Sequence, residues 1–193
     1  MFTLGVNKLG VLRQQGIPEP ETLLFAAGEE GVFLDFSTSA FSDITGTTEA
    51  IIDSTIAFVE DKSPNGRDAT QALEVARPVL RGNPQGRPFS EFDGVTDIIP
   101  VTMPTITGGT IAVISLEGVY IESDWSISAG TMNIGPTSIP GLPATIINLS
   151  GIVVNVIEDV LAVIINDRAW TGAERAAVAS WGVGRGARGN IKV

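Results

Sequence analysis

The chain contains neither histidine nor cysteine. The first absence removes the usual general base near neutral pH, the partner of serine nucleophiles and the commonest metal ligand. The second removes disulfides, thiol nucleophiles and thiolate metal sites. Triads, histidine–zinc centres and two-histidine iron sites are therefore excluded by inventory, leaving carboxylate, lysine or tyrosine chemistry, or none. Aromatics are scarce, at 6% with a single tyrosine. Positive charge is short as well: 12 Lys and Arg face 22 Asp and Glu, a formal net charge of −10. Such a balance repels phosphate backbones and anionic lipid, so no nucleic acid and no membrane surface is expected as partner. Long hydrophobic runs are missing too. The stretches 146–156 and 160–165 are broken or bounded by Asn148, Ser150, Asn155, Glu158 and Asp159, far short of the roughly 20 apolar residues of a membrane span. The opening Met1–Lys8 has no basic segment leading into a long apolar run, so no signal peptide is expected.

What is present is apolar and strand-forming. The 193 residues are 44% hydrophobic, mostly Ile, Val, Ala and Leu, enough to fill the core of one domain. The 22 glycines and 11 prolines are spread along the chain, as in many short strands joined by tight turns. Strands are expected at Gly31–Phe36, Ser54–Glu60, Arg77–Leu80, Phe89–Phe92, Ile98–Met103, Thr110–Leu116, Val119–Glu122, Thr131–Ile134, Ala144–Ile147, Ile152–Ile157 and Leu161–Ile165. Asp93-Gly94 reads as a hairpin turn between Phe92 and Val95. A helical turn is expected through Leu23, Leu24 and Ala27. The one good helix starts at a capping box, Thr171-Gly172-Ala173-Glu174, and packs Trp181 onto the strands. The expectation is an all-β protein, a compact β-sandwich over 21–182 with one short C-terminal helix. An N-terminal arm precedes it over 1–20, and a flexible basic tail follows over 183–193.

Several ordered pieces carry a resemblance. They are Gly31-Val32-Phe33-Leu34-Asp35 with Phe41-Ser42-Asp43-Ile44-Thr45-Gly46-Thr47-Thr48, then Asp61-Lys62-Ser63-Pro64-Asn65-Gly66-Arg67-Asp68-Ala69-Thr70-Gln71 leading to Arg77-Pro78. Phe92-Asp93-Gly94-Val95-Thr96-Asp97 and the closing Asn166–Arg175 complete the set. Together they resemble a module of tailed-phage and prophage virion proteins related to laminin-G and concanavalin-like lectin domains. The resemblance covers roughly residues 31–97 and 160–182. Position 64 is Pro where the family often has Gly, and position 68 is Asp where it often has His. The resemblance implies a reduced, concanavalin-like jelly roll and a structural role in a virion, as a tail fibre, spike or other tail-associated protein. It also implies partners: further copies of the chain, trimers being common in such fibres, other virion proteins, and in some members a host-surface glycan. A capsid decoration or head-fibre protein and a carbohydrate-binding lectin domain are the alternatives.

Candidate sites are few. The Asp61–Asp68 turn offers calcium the oxygens of Asp61, Asn65 and Asp68, although without EF-hand spacing; a turn held by side-chain-to-backbone hydrogen bonds is the competing reading. Trp125, within a polar stretch, and Tyr120 are the candidates for stacking on a sugar or anchoring a subunit contact, against ordinary core packing. Carboxylate chemistry would draw on Glu29, Glu30, Asp35, Glu60 and Asp61, but nothing in their spacing sets two at a catalytic separation. No catalytic residue and no required cofactor is expected. Gly182-Val183-Gly184-Arg185-Gly186 follows a helix rather than a strand, so it is no phosphate loop; with Arg188 it would touch a phosphate or an acidic neighbour.

Overall fold

The computed structural model describes residues 18–93, 95–135, 146–149, 152–155, 159–189 and 191–192. Most of the expected arm, the first residues of the Ala144–Ile147 strand and the last two of the Ile152–Ile157 strand lie outside the described residues. From the N-terminus come a short helix α1 (Pro20–Leu24) and strands β1 (Gly31–Asp35), β2 (Ala40–Phe41), β3 (Phe58–Val59), β4 (Ala69–Thr70), β5 (Val79–Gly82) and β6 (Pro88–Glu91). Then follow β7 (Ile99–Met103), β8 (Ile106–Ser115), β9 (Gly118–Ile127), β10 (Gly130–Gly135), β11 (Ile146–Leu149), β12 (Ile152–Asn155) and β13 (Asp159–Asn166). Helix α2 (Gly172–Arg185) and a two-residue strand β14 (Ile191–Lys192) close the chain.

The protein is mostly β and has two sheets. One runs β14-β9-β8-β13-β6-β5, with β1 also on β13; the other runs β12-β11-β10-β7-β4-β3-β2. Every pairing is antiparallel except β14 on β9. β13 is the axis of the first sheet. One edge pairs with β8, and the other is shared in succession by β6 at Asp159-Val160 and by β1 at Ala162–Asn166. Its run Val160-Leu161-Ala162-Val163-Ile164-Ile165 is buried throughout, because both faces of the sheet are covered. Val160, Val163 and Ile165 join the core between the sheets, with Val32, Leu34, Phe36, Val101, Met103 and Ile134. Leu161, Ala162 and Ile164 join a second core under the helices, with Phe33, Trp170, Val178 and Trp181.

Local departures from the sequence expectations have physical causes. Ser54–Glu60 is regular only at Phe58-Val59, because residues 53–56 instead cover the outer edge of β5 through the Asp53 N–H, the Ser54 carbonyl and the Ile56 N–H. The expected hairpin after Phe92 is not formed, since β6 belongs to one sheet and β7 to the other; Gly94 itself lies outside the described residues. Helix α2 continues past Trp181 to Arg185. Gly186, at φ 122°, caps it with an N–H on the Gly182 and Val183 carbonyls. The expected mobile tail is tied down as far as it is described: Ala187 is buried, Arg188 N–H meets the Leu116 carbonyl at 3.0 Å, and Ile191-Lys192 pairs with β9.

The hairpin β8–β9 holds an irregularity that matters for function. Asp124, at φ 60°, is an extra residue between the pairs Thr110–Ser123 and Gly109–Trp125. Such a bulge reverses the side to which alternate residues point. Val119 and Ile121 accordingly face the helices, whereas Trp125 and Ile127, of the same parity, enter the core between the sheets. Gly109 opposite has no room for a side chain, since a Cβ there would lie 2.4 Å from the Asn166 carbonyl oxygen.

Candidate functional site

The Asp61–Asp68 turn is built around one buried carboxylate. Asp61 Oδ1 accepts the Phe33 N–H (2.8 Å) and the Ser63 N–H (2.9 Å); Oδ2 accepts the Ser63 hydroxyl (2.7 Å) and the Arg67 N–H (2.8 Å). Asp68 Oδ1 accepts the Asp61 N–H at 2.9 Å, and Asn65 donates through Nδ2 to the Glu29 and Gly31 carbonyls, each at 3.1 Å. The three calcium candidates are thus brought to one turn, but donors rather than a vacancy face the Asp61 oxygens. Among the described residues no group of three or more acidic side chains is arranged to hold a metal ion. The turn docks β1 onto the second sheet's connections, which is what side-chain-to-backbone bonding does.

Trp125 is only 3% exposed, so it can neither stack on a sugar nor anchor a subunit; the Asp124 bulge has turned it inward. Its indole N–H is buried and has no hydrogen-bond partner among the described residues. Tyr120, half-buried, remains on the surface. Four of the five carboxylates considered for catalysis are engaged in structure. Glu29 accepts from Arg168 Nε at 2.9 Å, and Glu30 pairs with Arg67. Asp35, fully buried, accepts from the Ser37 N–H (3.0 Å), the Ser37 hydroxyl (2.5 Å) and the Thr38 hydroxyl (2.7 Å).

Among the described residues, two concavities gather charged side chains. One, of about 370 Å³, is lined by Val79, Arg81, Glu91, Phe92, Asp93 and Asp97. Its two aspartates are displaced in opposite directions. Burial pushes Asp93 up, but the Asp97, Val95 and Thr96 N–H groups outweigh it and hold the carboxyl at about 2. Asp97 is raised, first by burial and then by the neighbouring Asp93 and Glu91 carboxylates, against one N–H bond from Asp93. Arg81 bridges Glu91 and Asp53 at 2.6 Å each, which raises its own pKa.

The second concavity, of about 270 Å³, lies where the Ser37-Thr38 turn, Arg87-Pro88 and the Gly184-Arg185 end of α2 meet. Arg185 lies over the Trp181 ring at 4.9 Å, with Asp35 Oδ2 at 3.5 Å and Glu19 Oε2 at 3.7 Å. The acidic neighbours expected for this glycine-rich segment are these two; Arg188 meets a third, Glu117, at 3.0 Å. Arg87 donates from Nη1 to the Gly184 carbonyl at 2.5 Å. Sequence reading missed Arg87 and the raised Asp97, since nothing local marks either. Only the meeting of segments some hundred residues apart places Arg87 against Arg185. No family model, curated protein or solved structure matches the chain.

Proposed function

We propose that the chain is a structural component of a tailed-phage type virion, a tail fibre, spike or tail-associated protein. Its sandwich, of the reduced concanavalin-like kind, acts by packing against copies of itself and against other virion proteins. The sequence resemblance supplies the setting. The observation that carries the assembly reading is an aliphatic rim: Val75 is 85% and Val95 74% exposed, and Thr96 Oγ1 stands 3.5 Å from the Val75 carbonyl, so the two valines are near neighbours. Leu73 is exposed beside them. Exposed aliphatics brought together from separate segments are what a subunit contact covers, whereas single ones are commonplace. The burial of Trp125 removes the best stacking residue from the lectin alternative and leaves it Tyr120.

Light scattering on the purified chain tests the reading. A trimer or larger species is expected, and Val75→Asp with Val95→Asp should shift it to monomer without unfolding it. A wild-type chain that stays monomeric at high concentration would sink the proposal.

A further inference from the structure

We propose that the concavity between Ser37-Thr38, Arg87-Pro88 and Gly184-Arg185 binds a tetrahedral oxyanion, a phosphate or sulfate group, between the guanidiniums of Arg87 and Arg185. The inference goes beyond the assembly reading and does not rest on it. The chain has ten more acidic than basic residues (22 against 12), so unclaimed cationic donors should be rare. Arg67, Arg81, Arg168 and Arg188 each pair directly with a carboxylate. Arg77 and Arg175 brace backbone carbonyls, the latter with the Ser123 hydroxyl as well.

Arg87 and Arg185 are different. Among the described residues no carboxylate lies within ion-pair distance of Arg87, whose guanidinium makes one hydrogen bond, to the Gly184 carbonyl, and keeps four of its five N–H groups free. The Arg185 guanidinium makes no direct hydrogen bond among the described residues. It is held by the Trp181 ring beneath it and by the two long approaches to Asp35 and Glu19. Those carboxylates are engaged elsewhere: Asp35 by the Ser37 and Thr38 donors, Glu19 Oε2 by Trp181 Nε1 at 2.7 Å. Both long approaches fall at Arg185 Nη2 and leave its Nε and Nη1 uncommitted among the described residues.

The two arginines with guanidinium N–H groups to spare line the same small concavity, and the bond from Arg87 to the residue before Arg185 ties their segments together. A planar fork held in place loses little freedom on meeting an oxyanion, and two forks can take a tetrahedral group from two sides. The volume suits a single such group with little attached. The Ser37 and Thr38 hydroxyl hydrogens already point to Asp35, so these side chains close the wall and add no donors. Asp35, Glu19 and the carbonyl end of α2 oppose an incoming anion, which sets the expected affinity at the order of 1 mM.

The test is titration of the full chain with inorganic phosphate, against chloride at matched ionic strength, followed by the arginine Nε–H and the Gly184–Ala187 amide NMR signals. Saturable shifts there are expected. Arg87→Gln should weaken binding about tenfold, the loss of charge-assisted bonds to one fork. Arg87→Lys, which keeps the charge without the fork, should fall between, and all variants should keep the wild-type thermal midpoint within a few degrees. Arg188→Gln, which removes an exposed arginine paired elsewhere, should leave binding within twofold. Shifts no larger than those from chloride would overturn the proposal. So would equal weakening by Arg87→Gln and Arg188→Gln, which would mean diffuse attraction rather than a site.

Discussion

The two faces of the β13 sheet are packed by different means, although the same strands supply both. The face toward the second sheet is covered almost wholly by Ile, Val, Leu, Met and Phe, and its one tryptophan, Trp125, has no partner for its N–H among the described residues. The face toward the helices is mixed. Trp170 Nε1 donates to Asn166 Oδ1 at 2.7 Å, Asn166 Nδ2 donates to the Leu24 carbonyl at 3.0 Å, and Trp181 Nε1 donates to Glu19 at 2.7 Å. The first core is made by repeating strand contacts, which any apolar residue of suitable volume can join. The second is a short helix pair laid on a sheet, where a few long-range polar bonds decide the placement. Non-directional burial builds the sandwich, and directional bonds orient the lid over it.

The comparison can be broken first where the faces meet. A Cβ on Gly31 would lie 1.9 Å from the Ile165 carbonyl oxygen, inside the β1–β13 ladder, and the residue sits at φ 150°. Gly31→Ala should therefore damage both cores at once, costing more than about 4 kcal/mol in a urea titration. A near-neutral result would show that β1 is dispensable. Next, Trp181→Ala should cost about 3–5 kcal/mol, with α2 amides losing hydrogen-exchange protection before those of β10 in the opposite sheet. Simultaneous loss would mean that helix and sandwich are one cooperative unit.

Trp170→Phe and Trp125→Phe sharpen the contrast, because both remove the same atoms from a buried site. The cavity terms are comparable, so the difference isolates the hydrogen bond to Asn166. Trp170→Phe should be worse by about 1 kcal/mol in thermal unfolding. Equal costs would remove the distinction between the two cores.

Acid titration separates the regions last. Glu174, in the α2 cap, is held at about 2 by Arg168 first, with Thr171 assisting against the upward push of burial. A depressed carboxyl stabilises the fold above its unfolded value near 4.5, and that stability is lost as pH falls toward 2. Glu174→Gln should flatten this arm and cost about 1 kcal/mol at pH 7. Asp97, at the crossing between the sheets, is raised, so its contribution has the opposite sign: full below the unfolded value near 3.8 and lost as pH rises through the folded one. Asp97→Asn should then raise stability at pH 7 slightly, by less than about 1 kcal/mol. A loss of stability would show that the carboxylate's bond to Asp93 N–H outweighs its burial.

Much of this was legible residue by residue. The capping box at Thr171 is present with both of its bonds, the Glu174 N–H on Thr171 Oγ1 and the Thr171 N–H on Glu174 Oε2, because all its atoms lie within one turn. Most strand positions follow from apolar runs between turn residues. The hairpin at Asp93-Gly94 failed because a turn dipeptide encodes a reversal of direction, not which sheet receives the next strand. Trp125 was left between core packing and an exposed role because its exposure depends on parity, and the bulge at Asp124 changes parity without any mark that composition carries. Among candidate sites, the sequence collected Asp61, Asn65 and Asp68 at one turn but could not show that backbone donors already fill the Asp61 oxygens.

Inventory and contacts within a few residues were enough to make the chain β-rich, acidic, free of histidine and thiol chemistry, and the owner of a capped helix from Thr171. Only the tertiary structure decided that Trp125 faces inward, that Asp97 is desolvated beside two carboxylates, and that Arg87 stands against Arg185. Each of these depends on segments distant along the chain meeting across a sheet, and the energy of such a meeting is not carried by either segment alone.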